Sequence, residues 1–164
     1  MRTLLLRTWF TITLLMLSLA AAVPWRAPAR AAGKPLLVVV AAASPIKDIE
    51  FALLRRAFEG AAAEIGGKRL IPINHPAGSP LRVAFDKQVL GLAPEDVGKF
   101  WIERRIRDEG SPPKTVPSPE LAVRIAGSLP FSITYSTQEL INATVKAITI
   151  GGKAAGSAGY PLNL

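Results

Sequence analysis

The segment LIPINHPAGSPLRVAFDKQVLG, residues Leu70–Gly91, decides the fold of this chain. The apolar run Leu70–Ile73 predicts a short strand, and the loop residues His75–Gly78 interrupt it. Ser79 and Pro80 then match an N-cap and a first helical position, where the missing N–H of proline costs nothing. The apolar residues of the following segment recur at i, i+3, i+4 and i+8: Leu81, Ala84, Phe85 and Val89. This spacing predicts a helix with one buried face, so the segment is a strand, a tight loop and a helix.

The loop between this strand and this helix is a candidate anion site. Open α/β sheets bind ligands beyond the carboxyl ends of their strands, and a helix N-terminus favours negative charge. Ser44 precedes a proline in the same Ser-Pro pattern after an earlier strand, so we expect it to face the same site. The candidate ligand-binding residues are therefore Ser44, His75, Gly78, Ser79 and Arg82.

Two of these residues have alternative roles that the sequence leaves open. Ser79 is either a ligand donor or a plain helix cap, and the recurrence of Ser-Pro at Ser44 and Ser118 favours the cap. His75 is either an anion ligand when protonated or a loop residue bonded to backbone, and the second role is the commoner one.

The rest of the chain alternates strands and helices. The continuous apolar run Pro35–Ala43 is typical of a strand that is buried on both faces in a parallel sheet. Ser44-Pro45 predicts a helix over Ile46–Phe58. Further predictions are a turn at Ala61–Lys68, a helix from Pro94 to Arg107, a helix at Leu121–Ala126 that Gly127 ends, and strands at Leu129–Tyr135 and Thr144–Ile150. The fold class is α/β, a single domain with a mostly parallel sheet flanked by helices and one antiparallel strand near the C-terminus.

The aromatic residues of the predicted third helix have two interpretations. Phe100 and Trp101 follow helical spacing, which favours a place in the core over a surface for a partner.

Composition excludes several classes of function. The chain has 164 residues and no cysteine, so it has no disulfide, thiolate metal site or cysteine nucleophile, and its one histidine cannot form a zinc cluster. The formal net charge is +8, and its cationic and acidic residues alternate, so nucleic-acid binding is not expected. No nucleophile–base pair or pair of carboxylates is apparent. We therefore expect no enzyme, no metal and no cofactor.

The N-terminal residues Met1–Ala31 have the pattern of a secretory signal peptide. Two arginines precede the apolar stretch Trp9–Val23, and Ala29-Arg30-Ala31 is a cleavage candidate. The alternative is an uncleaved membrane anchor, but fifteen apolar residues are fewer than the roughly 20 that a span needs. Removal of four arginines would leave 16 basic and 12 acidic residues. The prediction is export to the periplasm, with residues 32–164 as the mature domain.

The order of short motifs along the chain resembles the phosphate-binding periplasmic proteins of ABC importers. The resemblance covers nearly the whole segment after the leader, in a short form with one lobe of the type II periplasmic-binding-protein-like fold. Five phrases carry it: Arg56–Gly60 for "IFxGK", Ala77–Leu81 with Phe85 for "dGSGT..F", Gly110–Pro113 for "G…PP", Glu120–Tyr135 for "eeVxxyVxxnpgaIGYv", and Val145–Leu162 for the last strand and "YPL".

The departures from that family bear on phosphate binding. The resemblance places the family's arginine and aspartate on His75 and Ala77, and its second glycine and threonine on Pro80 and Leu81. Pro80 removes an N–H donor and Leu81 removes a hydroxyl. Arg82, one place inside the helix, is a candidate substitute for the lost cation. The family closes two lobes over its ligand, so a single lobe predicts weaker and more salt-sensitive binding.

Two functions from different classes follow. The first is an exported, non-catalytic solute-binding protein that holds phosphate or another small anion at helix N-termini. The second is a periplasmic interaction or accessory protein that uses the same lobe as a scaffold, with a membrane permease or a periplasmic protein as partner.

Overall fold

The computed structural model of the chain describes residues 33–164, so the predicted signal peptide lies outside the described residues. The strands are β1 (Leu37–Ala41), β2 (Asp48–Ile49), β3 (Glu64–Ile65), β4 (Lys68–Arg69), β5 (Ile71–Asn74), β6 (Lys114–Thr115), β7 (Ser132–Ser136) and β8 (Val145–Ile150). The helices are α1 (Phe51–Phe58), α2 (Pro80–Phe85), α3 (Val97–Ile106) and α4 (Pro119–Ser128), with a π-helical turn at Asp86–Leu90 and a 3₁₀ turn at Gln138–Leu140. Within these residues no helix combines the length and apolarity needed to cross a bilayer.

The main sheet has the strand order β2-β8-β1-β7-β5-β6, and β3 with β4 forms a separate hairpin. Strands β2, β5, β6, β7 and β8 run in one direction, whereas β1 is antiparallel to both of its neighbours, β7 and β8. The prediction of a mostly parallel sheet is confirmed. The placement of the antiparallel strand near the C-terminus is wrong, because that strand is β1. Its continuous apolar run reports burial on both faces and carries no information about strand direction.

Both faces of β1 are covered by helices. Val38 and Val40 pack into the larger core cluster together with Phe58 of α1 and Phe85 of α2. Residues that alternate with them, such as Val39, pack on the other face against α4. The strand period of two therefore sends successive side chains into two separate cores. This arrangement confirms the prediction of an α/β domain with helices flanking the sheet.

The helix predicted at Ile46–Phe58 begins later, at Phe51. The hydroxyl of Ser44 accepts a bond from the N–H of Ile46 at 3.3 Å, which makes a single turn in place of a helix cap. Ile49 then pairs with Ile150 at the edge of the sheet. A strand pairing with a segment far along the chain thus overrides the local Ser-Pro signal.

Three further boundaries differ from the predictions. Helix α3 begins at Val97, because Ala93–Asp96 forms a turn with an N–H to carbonyl bond of 3.0 Å. Helix α4 continues through Gly127 to Ser128, so the glycine does not end it. The segment predicted as a plain turn at Ala61–Lys68 contains β3 and the first residue of β4.

Helix α3 packs loosely on the domain, since none of its ten residues is buried. The core role expected for Phe100 and Trp101 is wrong, because both are only half-buried and contact each other edge to face at 5.0 Å. Ile102 and Ile106 of the same helix are 62% and 79% exposed.

Candidate functional site

The loop that follows β5 leads into α2 as the sequence predicts. The side chain of Ser79 accepts a bond from the N–H of Arg82 at 3.4 Å, and Pro80 occupies the first turn. The predicted cap is confirmed. Gly78 lies exposed just before the cap with φ +79°, a conformation that side chains rarely adopt. The loop therefore presents a glycine backbone to solvent beside the start of a helix.

Arg82 lies under this loop in a buried ion pair. Its Nε donates to Oδ2 of Asp86 at 2.5 Å, and the two side chains are 7% and 4% exposed. Its Nη1 donates to the carbonyl oxygen of His75 at 3.2 Å. Burial raises the pKa of Asp86, and the Arg82 charge opposes that shift. Arg82, the cation that the sequence predicts as an anion ligand, is therefore already paired with the carboxylate of Asp86.

His75 is fully buried and bonds to backbone. Its Nε2 lies 2.6 Å from the carbonyl oxygen of Tyr135, which can only accept, so the ring proton is on Nε2. Its Nδ1 has no partner among the described residues. Burial is the main cause that lowers the pKa of His75, and the nearby Arg82 adds to it. The imidazole is therefore neutral at pH 7 and carries no charge for an anion.

Tyr135 anchors the floor below the loop. Its ring stacks on Phe85 with centroids 3.9 Å apart and an angle of 6° between the planes. Its hydroxyl donates to Oδ1 of Asn74 at 2.5 Å, and the same oxygen accepts the N–H of His75 at 3.1 Å. Burial raises the pKa of Tyr135. These contacts join the end of β5, α2 and β7 into one rigid support for the loop.

A small cavity of about 40 Å³ opens between this support and the start of α3. The residues that line it are Ala77, Gly78, Arg82, Val83, Asp86, Pro94 and Val97. A cavity needs roughly 10–15 Å³ to admit one water molecule, so this cavity has room for more than one. The cavity therefore offers a glycine backbone and a guanidinium, with one carboxylate beside them.

The structure does not bring Ser44 to this loop. Strand β1 is antiparallel to β7, whereas β5 is parallel to β7, so β1 and β5 run in opposite directions. Their carboxyl ends therefore lie at opposite ends of the sheet's strands. Ser44 is buried beyond the end of β1, where its carbonyl oxygen accepts from Nζ of Lys146. Of the predicted site residues, His75, Gly78, Ser79 and Arg82 lie together and Ser44 lies apart.

Asp86 was not among the site residues predicted from the sequence. The signal for it was an acid four residues after Arg82, a spacing that places both side chains on one side of a helix. Among residues 33–164 no three histidine, aspartate or glutamate side chains come close enough to hold a metal ion.

The mixed sheet with helices on both faces, and a loop poised at the end of β5, define one lobe of a periplasmic-binding-protein-like fold. Comparison with solved structures supports this class. The chain matches an ABC-type phosphate transport receptor from Vibrio cholerae with a TM-score of 0.59 and 16% identity, covering 75% of this chain and 48% of the receptor. The resemblance inferred from the sequence motifs is therefore confirmed at the level of the fold.

Two further solved structures agree. A putative phosphate ABC transporter substrate-binding protein with bound phosphate from Clostridium perfringens matches with a TM-score of 0.58 and 15% identity, over 76% of this chain and 48% of that one. PstS from Borrelia burgdorferi matches with a TM-score of 0.58 and 16% identity, over 80% and 55%. The chain thus spans about half the length of these receptors. No family model and no curated protein matches the chain.

Proposed function

We propose that the chain is an exported, non-catalytic solute-binding lobe that holds phosphate or another small anion weakly at Gly78 and Ser79. The observation that carries this proposal is the buried Arg82, which lines the cavity directly beside the exposed backbone of Gly78. Its Nη2 makes no hydrogen bond to any group in residues 33–164, so this nitrogen is available to an anion. The likeness to phosphate receptors supports the same class of function.

Weak binding follows from the groups around Arg82. Asp86 neutralises the guanidinium, and its free Oδ1 repels an approaching anion. Pro80 offers no N–H, and Ser79 already accepts the N–H of Arg82. His75 contributes its backbone carbonyl, which positions Arg82. Ser44 has no part in the proposed site, because it lies beyond the opposite end of the sheet's strands.

The test is a calorimetric titration of the purified chain with phosphate, sulfate and a neutral sugar at low and moderate salt. Ser79→Ala should weaken phosphate binding, and added salt should weaken it further. Asp86→Asn is the sharper variant, because it removes the competing charge and keeps the shape of the side chain. We expect it to strengthen phosphate binding by about tenfold or more. Absence of heat with any anion, both in wild type and in Asp86→Asn shown to be folded by circular dichroism, would overturn the proposal.

A second candidate is an interaction or accessory protein of the periplasm, with no small ligand. The observation that favours it is helix α3, where Ile102 and Ile106 stand exposed one turn apart. A membrane permease or another periplasmic protein would cover such a surface. A photoreactive residue at position 106 would crosslink that partner in host cells, and the same residue at exposed Lys87, away from α3, is the matched control.

Export is tested separately. Cleavage after Ala31 predicts that the protein recovered from a periplasmic fraction begins at Ala32, which N-terminal sequencing would detect. A full-length N-terminus in the membrane fraction would support the uncleaved anchor instead.

A further inference from the structure

A larger groove lies at the opposite end of β5 from Gly78 and Arg82. Its volume is about 480 Å³, within the range of roughly 300–1,000 Å³ that small-molecule sites occupy. It is bounded by the end of α1, the first residues of β5 and the segment that leads into β6. The groove is therefore separate from the anion loop and has room for a small organic molecule.

Two glycines line this groove and lie in direct backbone contact. Gly60 has φ +78° and Gly110 has φ +131°, and a Cβ on Gly110 would lie 2.5 Å from the carbonyl oxygen of Gly60. The two backbones therefore cross in direct contact, which no other residue pair would allow. The contact joins the chain after α1 to the chain before β6 along the lining of the groove.

Prolines open one side of the groove. The parallel ladder between β5 and β6 pairs Ile73 with Lys114 and then Asn74 with Thr115. The residues before these pairs are Pro72 and Pro113, which lack the N–H that a ladder bond needs. The two strands therefore have no pairing beyond that point, and the groove lies where they part.

The walls are apolar and the rim is cationic. Ile71 is 47% exposed, alanine, leucine and proline side chains line most of the remaining wall, and Ser111 is the one uncharged polar side chain of the lining. Arg69 and Lys114 are the two titratable residues of the lining, and neither forms an ion pair within residues 33–164. The lining contains no acidic residue. An occupant with an apolar body and a negative group would complement both features.

We propose that this groove binds a small organic anion, a carboxylate carried on an apolar chain or ring. Its apolar body lies against Ile71 and the prolines, and its carboxylate pairs with Arg69 and Lys114. This site goes beyond the anion loop, because inorganic phosphate has no apolar part to bury. Its failure would leave the proposal for Gly78 and Ser79 standing, and the reverse also holds.

The test uses hexanoate as the probe, with 1-hexanol as its uncharged match and inorganic phosphate as the anion without an apolar body. Amide chemical shifts of the labelled chain would be followed during each titration. We expect hexanoate to perturb Ile71, Gly110 and Lys114, and to bind at least fivefold more tightly than hexanol. Perturbations confined to Gly78–Asp86 would overturn the proposal.

Charge variants make the test specific. Arg69→Gln and Lys114→Gln each remove one exposed cation from the rim, and both should weaken hexanoate at least threefold and leave hexanol unchanged. Lys99→Gln and Arg105→Gln on α3 are matched controls that should alter neither. Ile71→Ser should weaken both hexanoate and hexanol. Equal weakening of hexanoate by the rim and α3 variants would show a general charge effect and overturn the proposal.

Discussion

Removal of one member of the Arg82–Asp86 pair should destabilise the domain strongly. At 2.5 Å and an effective dielectric of about 20, the attraction is about 6–7 kcal/mol. Each ion loses several kcal/mol of hydration on burial, so the intact pair is close to neutral for stability. Arg82→Met leaves the Asp86 carboxylate buried alone, which should cost about 3–5 kcal/mol. The urea midpoint should fall accordingly, and Tm should fall by about 10–20 °C.

A double variant tests whether the loss of stability comes from the buried, unpaired carboxylate of Asp86. Arg82→Met with Asp86→Leu removes both ions, and its free energy of unfolding should lie within about 1 kcal/mol of wild type. Arg55→Met is a matched control, because Arg55 and Glu59 form an i,i+4 pair in which the arginine is half exposed. That change should cost under about 1 kcal/mol. A double variant as unstable as Arg82→Met alone would refute the reasoning.

The pH dependence of Arg82→Met gives an independent check. Burial already raises the pKa of Asp86, and loss of the arginine should raise it further. A carboxyl with a raised pKa in the folded state contributes stability below its unfolded pKa of about 4, and this is lost as pH rises through the folded pKa. The loss of unfolding free energy that Arg82→Met causes should therefore be smaller at pH 4 than at pH 7. A deficit that is equal at both values would contradict a buried, uncompensated carboxylate.

Four further substitutions test local features of the fold. The pKa of His75 is lowered in the folded state, so the folded state resists protonation of this ring. The free energy of unfolding should therefore fall as pH drops below about 6.5. His75→Gln should reduce this fall, as measured by urea titrations between about pH 7.5 and 5.5. Gly127→Ala should destabilise helix α4 even though alanine is the better helix former, because its Cβ would lie 2.6 Å from Oγ1 of Thr144. Gly98 in α3 has open space around it, so Gly98→Ala should stabilise the domain by about 0.5–1 kcal/mol. Thermal melts in which Gly127→Ala and Gly98→Ala shifted Tm in the same direction would contradict this account. Ser118→Ala removes the cap bond to the N–H of Leu121 and should cost about 1 kcal/mol, measurable by the urea midpoint.

Features with local causes could be predicted from the sequence. The strand–loop–helix unit around Ser79 rests on a cap and an apolar face that lie within a few residues of each other. The caps at Ser79 and Ser118 formed as expected, but the identical dipeptide at Ser44 did not start a helix. The difference is the pairing of Ile49 with a strand about a hundred residues later, which no local pattern contains.

The candidate site also has one part that could be predicted from the sequence and another that could not. The cluster of His75, Gly78, Ser79 and Arg82 followed from one loop and one helix, and the structure brings these residues together. The separation of Ser44 depends on the direction of β1, which hydrophobicity does not encode. The neutralisation of Arg82 by Asp86 depends on burial of both side chains, which only the packed helix reveals.

The central position of β1 has a consequence for when this chain can fold. Leu37 pairs with Ser136 and Ala41 pairs with Val145, so β1 meets both of its neighbours only roughly one hundred residues later in the sequence. Leu36 and Leu164 are also joined to the opposite end of the described chain by backbone bonds of 3.1 and 2.8 Å. The sheet therefore cannot close around β1 until β8 has been synthesised. Folding of this domain should therefore follow synthesis of β8 and be slow, and the proposed export would act on the chain while it is still unfolded.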